Sequence, residues 1–466
     1  MPLPRKVDPA VLTLQLQVQG PMTAQALAAT AGVDRSRISR ALASLGAPII
    51  RLGVTRGVRF ALRRRVRGLS DTFPLRRIDA QGRVHDWAEL TALHGGWRVT
   101  WASATSVPAW SGRMLGLGGW SEGFPFFLGD VRPQGYLGRA VARRLPAVLG
   151  LSSDPRDWGD DATLVFLASE GDDLPGDLIV GDAPLARHQA RRFASIAGLA
   201  EVARAECYPA LARETQADGP VGSSVEGEQP KFLARLDRPA GNAQPVIVKF
   251  TDTLTSPTGR RWADLLAAEA QALAILHAAG ETDAAPRIFD TAGRRFLELD
   301  RFDRVGPHGR RGVVTLRSLH EAFGSADTND WVVAAAELLR DELIMPETLR
   351  SIRRRHAFGG LIGNTDMHFA NLAFWFDDTV PFRLAPAYDM LPMQWAPAAG
   401  GELVPQTLHL RPPLPAHEAD WLIAAGWAGE FWSRVAADDR ISVEFAERAR
   451  DAGVLLARMR VQFATT

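Results

Sequence analysis

The sequence predicts an α+β fold in three parts: a small N-terminal winged helix-turn-helix, then a body of two lobes, the first strand-rich and the second helical. Three observations predict it. Residues up to 68 spell three short helices and a hairpin, with a dense run of arginines. Residues 221–305 alternate apolar strand-like runs with one long amphipathic helix, and residues 306–466 are mostly helical in period. At 466 residues the chain is too long for a single core. The expected boundaries are 1–68, 69–302 and 303–466.

Composition narrows the function classes. Apolar content of 46% with 23% charge is ordinary for a globular protein, and a net charge of +1 gives no global field for nucleic acid or membrane. Cys207 is the sole cysteine, which excludes an intrachain disulfide and fits the cytoplasm. The N-terminus lacks the apolar region of a signal peptide, and no apolar run reaches the roughly 18 residues of a membrane span.

In the first domain Asp8, Thr23 and Asp34 stand where three helices need caps, and Gly20, Gly32 and Gly46 where they end. Strands over 49–52 and 58–62 flank a loop, Gly53 to Gly57. From Arg35 to Leu69 there are ten arginines and no acidic residue. Arg35, Arg37, Ser39 and Arg40 open the third helix, where a recognition helix meets base edges, and Arg51, Arg56 and Arg59 ride the hairpin toward phosphates. A DNA-binding form would be a homodimer on a two-fold site. The plainer alternative is a packing or protein-docking module with a solvated basic face.

Residues 69 to about 220 are less informative. Phe73 to Leu90 and Trp97 to Ala104 read as strand-rich, and Trp97, Trp101, Trp110 and Trp120 as core. The glycine-dense loop Gly116–Gly123 lacks the Lys and Ser/Thr of a phosphate loop. Leu185 to Cys207 reads as helix ending before Pro209, with Arg187, Arg191, Arg192 and Arg204 on a solvated face.

The next stretch has the parts of a nucleotide site. A polar, Gly-containing loop from Gly222 to Lys231 precedes a strand, and such loops can lay backbone N–H groups over phosphates. Pro245–Phe250 reads as a buried strand holding Lys249, which needs a charged partner. The helix after it, Trp262 to Ala279, offers Glu269 on its apolar stripe. The alternative is two unrelated charges at the rim of a sheet. The strand Arg295–Leu299 runs into Asp300-Arg-Phe-Asp-Arg304, the place of a hinge between lobes or of an ordinary solvated strand exit.

The second lobe carries Gly363-Asn-Thr-Asp-Met-His-Phe-Ala-Asn371 and, 18 residues later, Asp389. Phosphoryl transfer from ATP needs an Asp to take the proton of the attacking hydroxyl, and an Asn and a second Asp to hold Mg²⁺. Asp366 and Asn371 have that spacing, although Asp and Asn also cluster in turns. A hairpin over 372–384, with Asp377-Asp378-Thr379 at its tip, would bring Asn371 and Asp389 together. His368 is placed either to donate to a phosphate or to make a structural hydrogen bond.

Ser224-x-x-Gly227-x-Gln229-x-Lys231, Asp300-Arg-Phe-Asp-Arg304, the Gly-Asn-Thr-Asp stretch and Tyr388-Asp389 together resemble the HipA family of toxin serine/threonine kinases over roughly residues 70–460, and the added N-terminal domain resembles its YjjJ-type branch. The resemblance implies a two-lobed, protein-kinase-like fold using ATP and Mg²⁺. It implies Asp366 as catalytic base, assisted by His368, and Asn371 and Asp389 as metal ligands. Lys249 would bind the α- and β-phosphates, paired with Glu269. Glu226, Gly227, Glu228, Gln229, Pro230 and Lys231 would form the phosphate loop; Asp300, Arg301 and Phe302 the adenine-side hinge. His368, Asn371 and Tyr388 would line the nucleotide. Ser224, with Ser223 beside it, would be autophosphorylated, which inactivates by repulsion. The implied partners are a protein substrate such as an aminoacyl-tRNA synthetase, and an antitoxin. The chain departs from the family at Asp300, where Glu is usual, at Ala370, where Lys is common, and at Pro230, often acidic. The rival reading is a DNA-binding regulator whose kinase-like half senses or docks. A small-molecule kinase is a third.

Overall fold

The computed structural model describes residues 7–54, 57–145, 149–193, 198–217, 229–237 and 243–463. Three caps begin three helices, α1 (Pro9–Gln19), α2 (Ala24–Ala31) and α3 (Arg35–Leu45). The side chains of Asp8, Thr23 and Asp34 accept from the N–H groups of Ala10, Ala26 and Arg37 at 2.9, 3.1 and 3.1 Å. Leu12, Leu16, Leu27, Ile38 and Leu42 fill the space between the helices. The strands β1 (Met22–Thr23), β2 (Ile49–Leu52) and β3 (Arg59–Leu62) form an antiparallel sheet in the order β1-β3-β2.

This small sheet is bound to the middle domain. Ile50, Leu52 and Ala61 pack with Leu93 and Trp120. The glycine-dense loop makes the fit: Gly118 has φ +68°, and a Cβ on it would lie 2.5 Å from the Gly53 nitrogen. Arg64 pairs with Asp161 at 2.7 Å and donates to the Leu93 carbonyl at 2.9 Å, and Arg63 pairs with Asp71 at 3.6 Å. The arginine run is therefore not one free basic face. Arg59, expected to meet phosphate, lies over the Trp120 ring at 5.7 Å.

The middle sheet is antiparallel, ordered β7-β6-β5-β4-β8, from β4 (Thr72–Ile78), β5 (Val84–Leu93), β6 (Gly96–Trp101), β7 (Trp120–Ser121) and β8 (Leu178–Val180). Around it run α4 (Ser111–Met114), α5 (Gly135–Arg144), α6 (Asp160–Glu170) and α7 (Asp182–Phe193). Trp97 and Trp110 are buried, as expected. Trp110 also meets Phe376, so the middle sheet shares a core with the C-terminal lobe. The single helix expected over 185–207 is two. α7 is described to Phe193, the described residues 198–203 contain no α-helix, and α8 (Arg204–Ala217) carries Pro209 inside it. The proline lacks the N–H that would bond the Ala205 carbonyl, and Thr291 Oγ1 donates to that carbonyl instead, at 3.1 Å. The expected solvated arginines are paired: Arg187 and Arg191 with buried Asp172, Arg204 with buried Glu298 at 3.0 Å.

The next lobe is a four-stranded antiparallel sheet, β11-β12-β10-β9, from β9 (Lys231–Asp237), β10 (Ala243–Phe250), β11 (Arg287–Thr291) and β12 (Arg294–Asp300). Tyr208 and Ala212 of α8 cover Phe232, Val246, Val248 and Phe296 on one face. The long helix α9 (Pro257–Ala278) covers the other, setting Leu266 and Leu273 on Leu297 and Leu299. Two short strands, β13 (Arg304–Val305) and β14 (Gly309–Arg310), lead to β15 (Val313–Thr315) and the helical lobe: α10 (Leu316–Phe323), α11 (Trp331–Arg340), α12 (Pro346–Leu361), α13 (Glu418–Ala437) and α14 (Val443–Phe463). The expected hairpin over 372–384 forms in short form: about a bridge at Phe374–Leu384 the Trp375 N–H donates to the Arg383 carbonyl at 2.8 Å and the Ala385 N–H to the Ala373 carbonyl at 2.9 Å, and β16 (Ala373–Trp375) pairs along its other edge with β15. Among the described residues no helix is long and apolar enough to cross a membrane.

Candidate active site

Lys249 lies on β10, a strand buried from both sides, with 4% of its surface exposed. A lysine there is tolerable only with counter-charges. Glu269, fully buried on α9, supplies one at 2.6 and 2.8 Å, and Asp389 supplies the second. Burial alone would pull the lysine down. Asp389 and then Glu269 outweigh it and push its pKa above the ordinary value. Burial likewise opposes the charge on Asp389, but Lys249, then Lys231, hold that carboxyl below its usual range. Lys231 reaches the cluster because β9 registers it directly across from Lys249.

The turn after α12 is built by its own asparagines. Gly363, at φ +74°, takes the chain out of the helix. Asn364, 4% exposed, accepts from the Asp366 N–H at 3.0 Å and donates to the Asp389 carbonyl at 3.1 Å. Asn371 donates from Nδ2 to the Asp366 carbonyl at 2.8 Å, which leaves its Oδ1 for another partner. The His368 carbonyl receives the N–H of Asn371 at 2.9 Å and Trp331 Nε1 at 3.1 Å. The side chains of Asp366 and His368 stand at the surface of this braced turn. Asp389 has φ +52°, a left-handed conformation uncommon outside glycine and frequent at functional positions.

Lys231, Lys249, Glu269, Asp366, His368, Asn371 and Asp389 thus gather where the two lobes meet. Gln229 donates to the Phe250 carbonyl, and Pro230 accepts from the Phe250 N–H at 3.0 Å, fixing the chain that enters β9. Asp300 ends β12 and pairs with Arg287 at 3.2 Å. The Arg301 side chain turns into an ion-pair cluster, with Asp303 at 2.9 Å and Asp173 at 3.4 Å. Phe302 stacks on Tyr388, ring centres 5.7 Å apart, and Tyr388 donates to the Ala370 carbonyl at 2.7 Å. Ser223, Ser224, Glu226, Gly227 and Glu228 lie outside the described residues, as does Arg56. In the N-terminal domain Arg35, Ser39 and Arg40 are exposed on α3, and Arg37 pairs with Asp34 at 3.1 Å.

Sequence reasoning gave no role to Asn364 or Trp331. The Gly-Asn-Thr-Asp run contained the signal for Asn364: an Asn two residues before an Asp offers an oxygen to that residue's N–H. Nothing local pointed to Trp331, 37 residues from the carbonyl it holds.

Residues 69–189 match the family described as YjjJ-like toxin, middle domain, and residues 223–452 the HipA-like C-terminal domain. Toxin YjjJ of Escherichia coli (strain K12) is 34% identical over 440 residues, 94% of this chain and 95% of that protein. A chain of the Shewanella oneidensis MR-1 toxin–antitoxin complex of HipA, HipB and operator DNA superposes with a TM-score of 0.52 at 16% identity, covering 84% of this chain and 97% of that one. The second likeness is one of fold.

Proposed function

Because the chain belongs to the family of YjjJ-like toxins with a HipA-like C-terminal domain, we propose that it is an ATP- and Mg²⁺-dependent serine/threonine protein kinase. The observation that carries this reading is a buried lysine held between carboxylates from two different elements, Glu269 and Asp389, beside the braced turn bearing Asp366 and Asn371. Lys249, kept charged and oriented by Glu269, binds the α- and β-phosphates. Lys231 and the loop before it, Glu226 to Pro230, cover the phosphates. Asp366 takes the proton of the substrate hydroxyl; its side chain at the surface of a fixed backbone suits that task. His368 donates toward the γ-phosphate. The backbone of Asp300 to Phe302 faces the adenine edge, with Tyr388 behind Phe302.

The donor set fits Mg²⁺. Asn371 Oδ1 and the Asp389 carboxylate are hard oxygen ligands, and Mg²⁺ is commonly held by one or two carboxylates together with substrate phosphates. When bound, the ion would draw charge off the phosphate oxygens. Asn371 and Asp389 would hold the ion, and Lys249, still paired with Glu269, would bind the phosphates.

The substrate is a protein, of which an aminoacyl-tRNA synthetase is the implied kind. Ser224, with Ser223 as the adjacent acceptor, is the proposed site of self-phosphorylation. The exposed arginines of α3 support DNA binding by a homodimer, and an antitoxin and a cytoplasmic location belong to the same reading. A DNA-binding regulator whose kinase-like half senses or docks is the second reading, favoured by the exposure of Arg35 and Arg40 on one helix. ATP titration separates them. A kinase binds ATP more tightly when Mg²⁺ is added, and loses that gain in Asp389→Asn. No binding of ATP with or without Mg²⁺ contradicts the kinase reading.

A further inference from the structure

A cavity of about 650 Å³ opens where the middle sheet meets the C-terminal lobe, and none of the residues assigned to nucleotide or metal lines it. Its volume is that of a small-molecule site. Most of its charges are already matched. Arg77 pairs with Asp177 and Asp378, both at 2.7 Å; His85 with Asp79 at 2.9 Å; and Arg383 with Asp377 at 3.2 Å.

Three lining groups are left over. Arg310 is 4% exposed and has no ion pair with a carboxylate among the described residues. Its Nη2 donates to the Asp172 carbonyl and lies 3.2 Å from His188 Nδ1, while its Nη1 has no partner among the described residues. Asp177, 6% exposed, gives one oxygen to Arg77 and keeps the other unpartnered among them. Arg311 is exposed and stacks its guanidinium over Trp375 at 5.1 Å. Gly312, next along the chain, also lines the cavity. A Cβ there would sit 3.0 Å from the unpartnered Asp177 oxygen.

A buried donor and a buried acceptor, both unmatched and both lining one cavity, select the occupant. A simple anion would meet Arg310 but be repelled by Asp177. A simple cation would suffer the reverse. A molecule carrying both signs a few atoms apart satisfies each. We infer that the cavity binds a small amphoteric molecule of the α-amino-acid class, its carboxylate on Arg310 and Arg311 and its ammonium on Asp177. Trp87 and Trp375 give its side chain an apolar wall. The occupant bears on Gly312, which enters β15, the strand paired with β16 just beyond Asn371.

The test is calorimetric titration of the full-length chain with each protein amino acid, then of the tightest binder with its N-acetyl and carboxamide forms. The expected result is that one amino acid binds, and that blocking either end weakens it about tenfold or more, as removal of one charge-assisted hydrogen bond would. Arg311→Gln, a change at an exposed side chain, weakens it by a similar factor. Absence of binding by every amino acid, equal binding of the blocked forms, or unchanged binding in Arg311→Gln would overturn the inference. The readout is binding alone, so it stands or fails separately from phosphoryl transfer.

Discussion

Lys249 shows how one residue can be read at two levels. Glu269 and Asp389 keep it charged, and the same charge suits it to phosphate. Glu269→Ala removes one of the two counter-charges of a buried cation and leaves Asp389 alone to match it. The expected loss is about 1.5–3 kcal/mol of stability, seen as a lowered Tm, with ATP affinity reduced as well. A variant as stable as the parent contradicts the pairing. His188 makes a pH prediction. Burial, then Arg310 and Arg191, push its pKa down to about 4 from 6.5, so it stays neutral in the folded protein while the unfolded chain takes up a proton first. Its contribution to stability is complete above about pH 6.5 and declines as pH falls toward about 4. In urea unfolding across that window, His188→Gln should show a flatter loss than the parent. Identical slopes would show that His188 carries no such linkage.

At the scale of elements, the N-terminal module and its attachment behave as separate devices. α3 presents Arg35 and Arg40 to solvent, whereas the hairpin is anchored by Leu52, Arg59 and Arg64. Arg37→Ala with Arg40→Ala should weaken DNA binding and reduce its salt slope by roughly one for each phosphate no longer neutralised. Arg64→Ala should leave α3 intact but loosen the module, read as faster tryptic cleavage near Arg65 and Arg67. Local chemistry made much of this legible: Asp8, Thr23 and Asp34 cap helices as their positions predict, because a cap needs only its next three residues. The extent of α8 was not legible, since Pro209, which suggested an end, is accommodated inside the helix by Thr291, 82 residues away. The pairing of β16 with β15 was hidden for the same reason: Asp377 and Asp378 suggested a local turn, and the partner strand lies some 60 residues earlier.

Across the whole molecule, the fold class followed from the order of strand-rich and helical segments, and the HipA-like superposition agrees with it. The candidate site was legible as residue types in sequence order, Lys249, Glu269, Asp366, Asn371 and Asp389, because each sits in a short distinctive context. What remained hidden were matches between distant charges. Arg301 and Arg304 pair with Asp173 on the middle domain, and neither sequence neighbourhood announces the other. Those ion pairs and the shared aromatic core join the middle sheet to both lobes, and Lys249, Asp366 and Asp389 lie at the cleft where those lobes meet. The central claim is that this cleft transfers phosphate. Its most direct test is incubation of the purified chain with γ-labelled ATP and Mg²⁺, beside Asp366→Ala, with phosphorylated residues located by mass spectrometry. Label on Ser224 or Ser223 in the parent, absent in a folded Asp366→Ala, is the predicted result. No label in the parent, or equal label in both, would contradict the account.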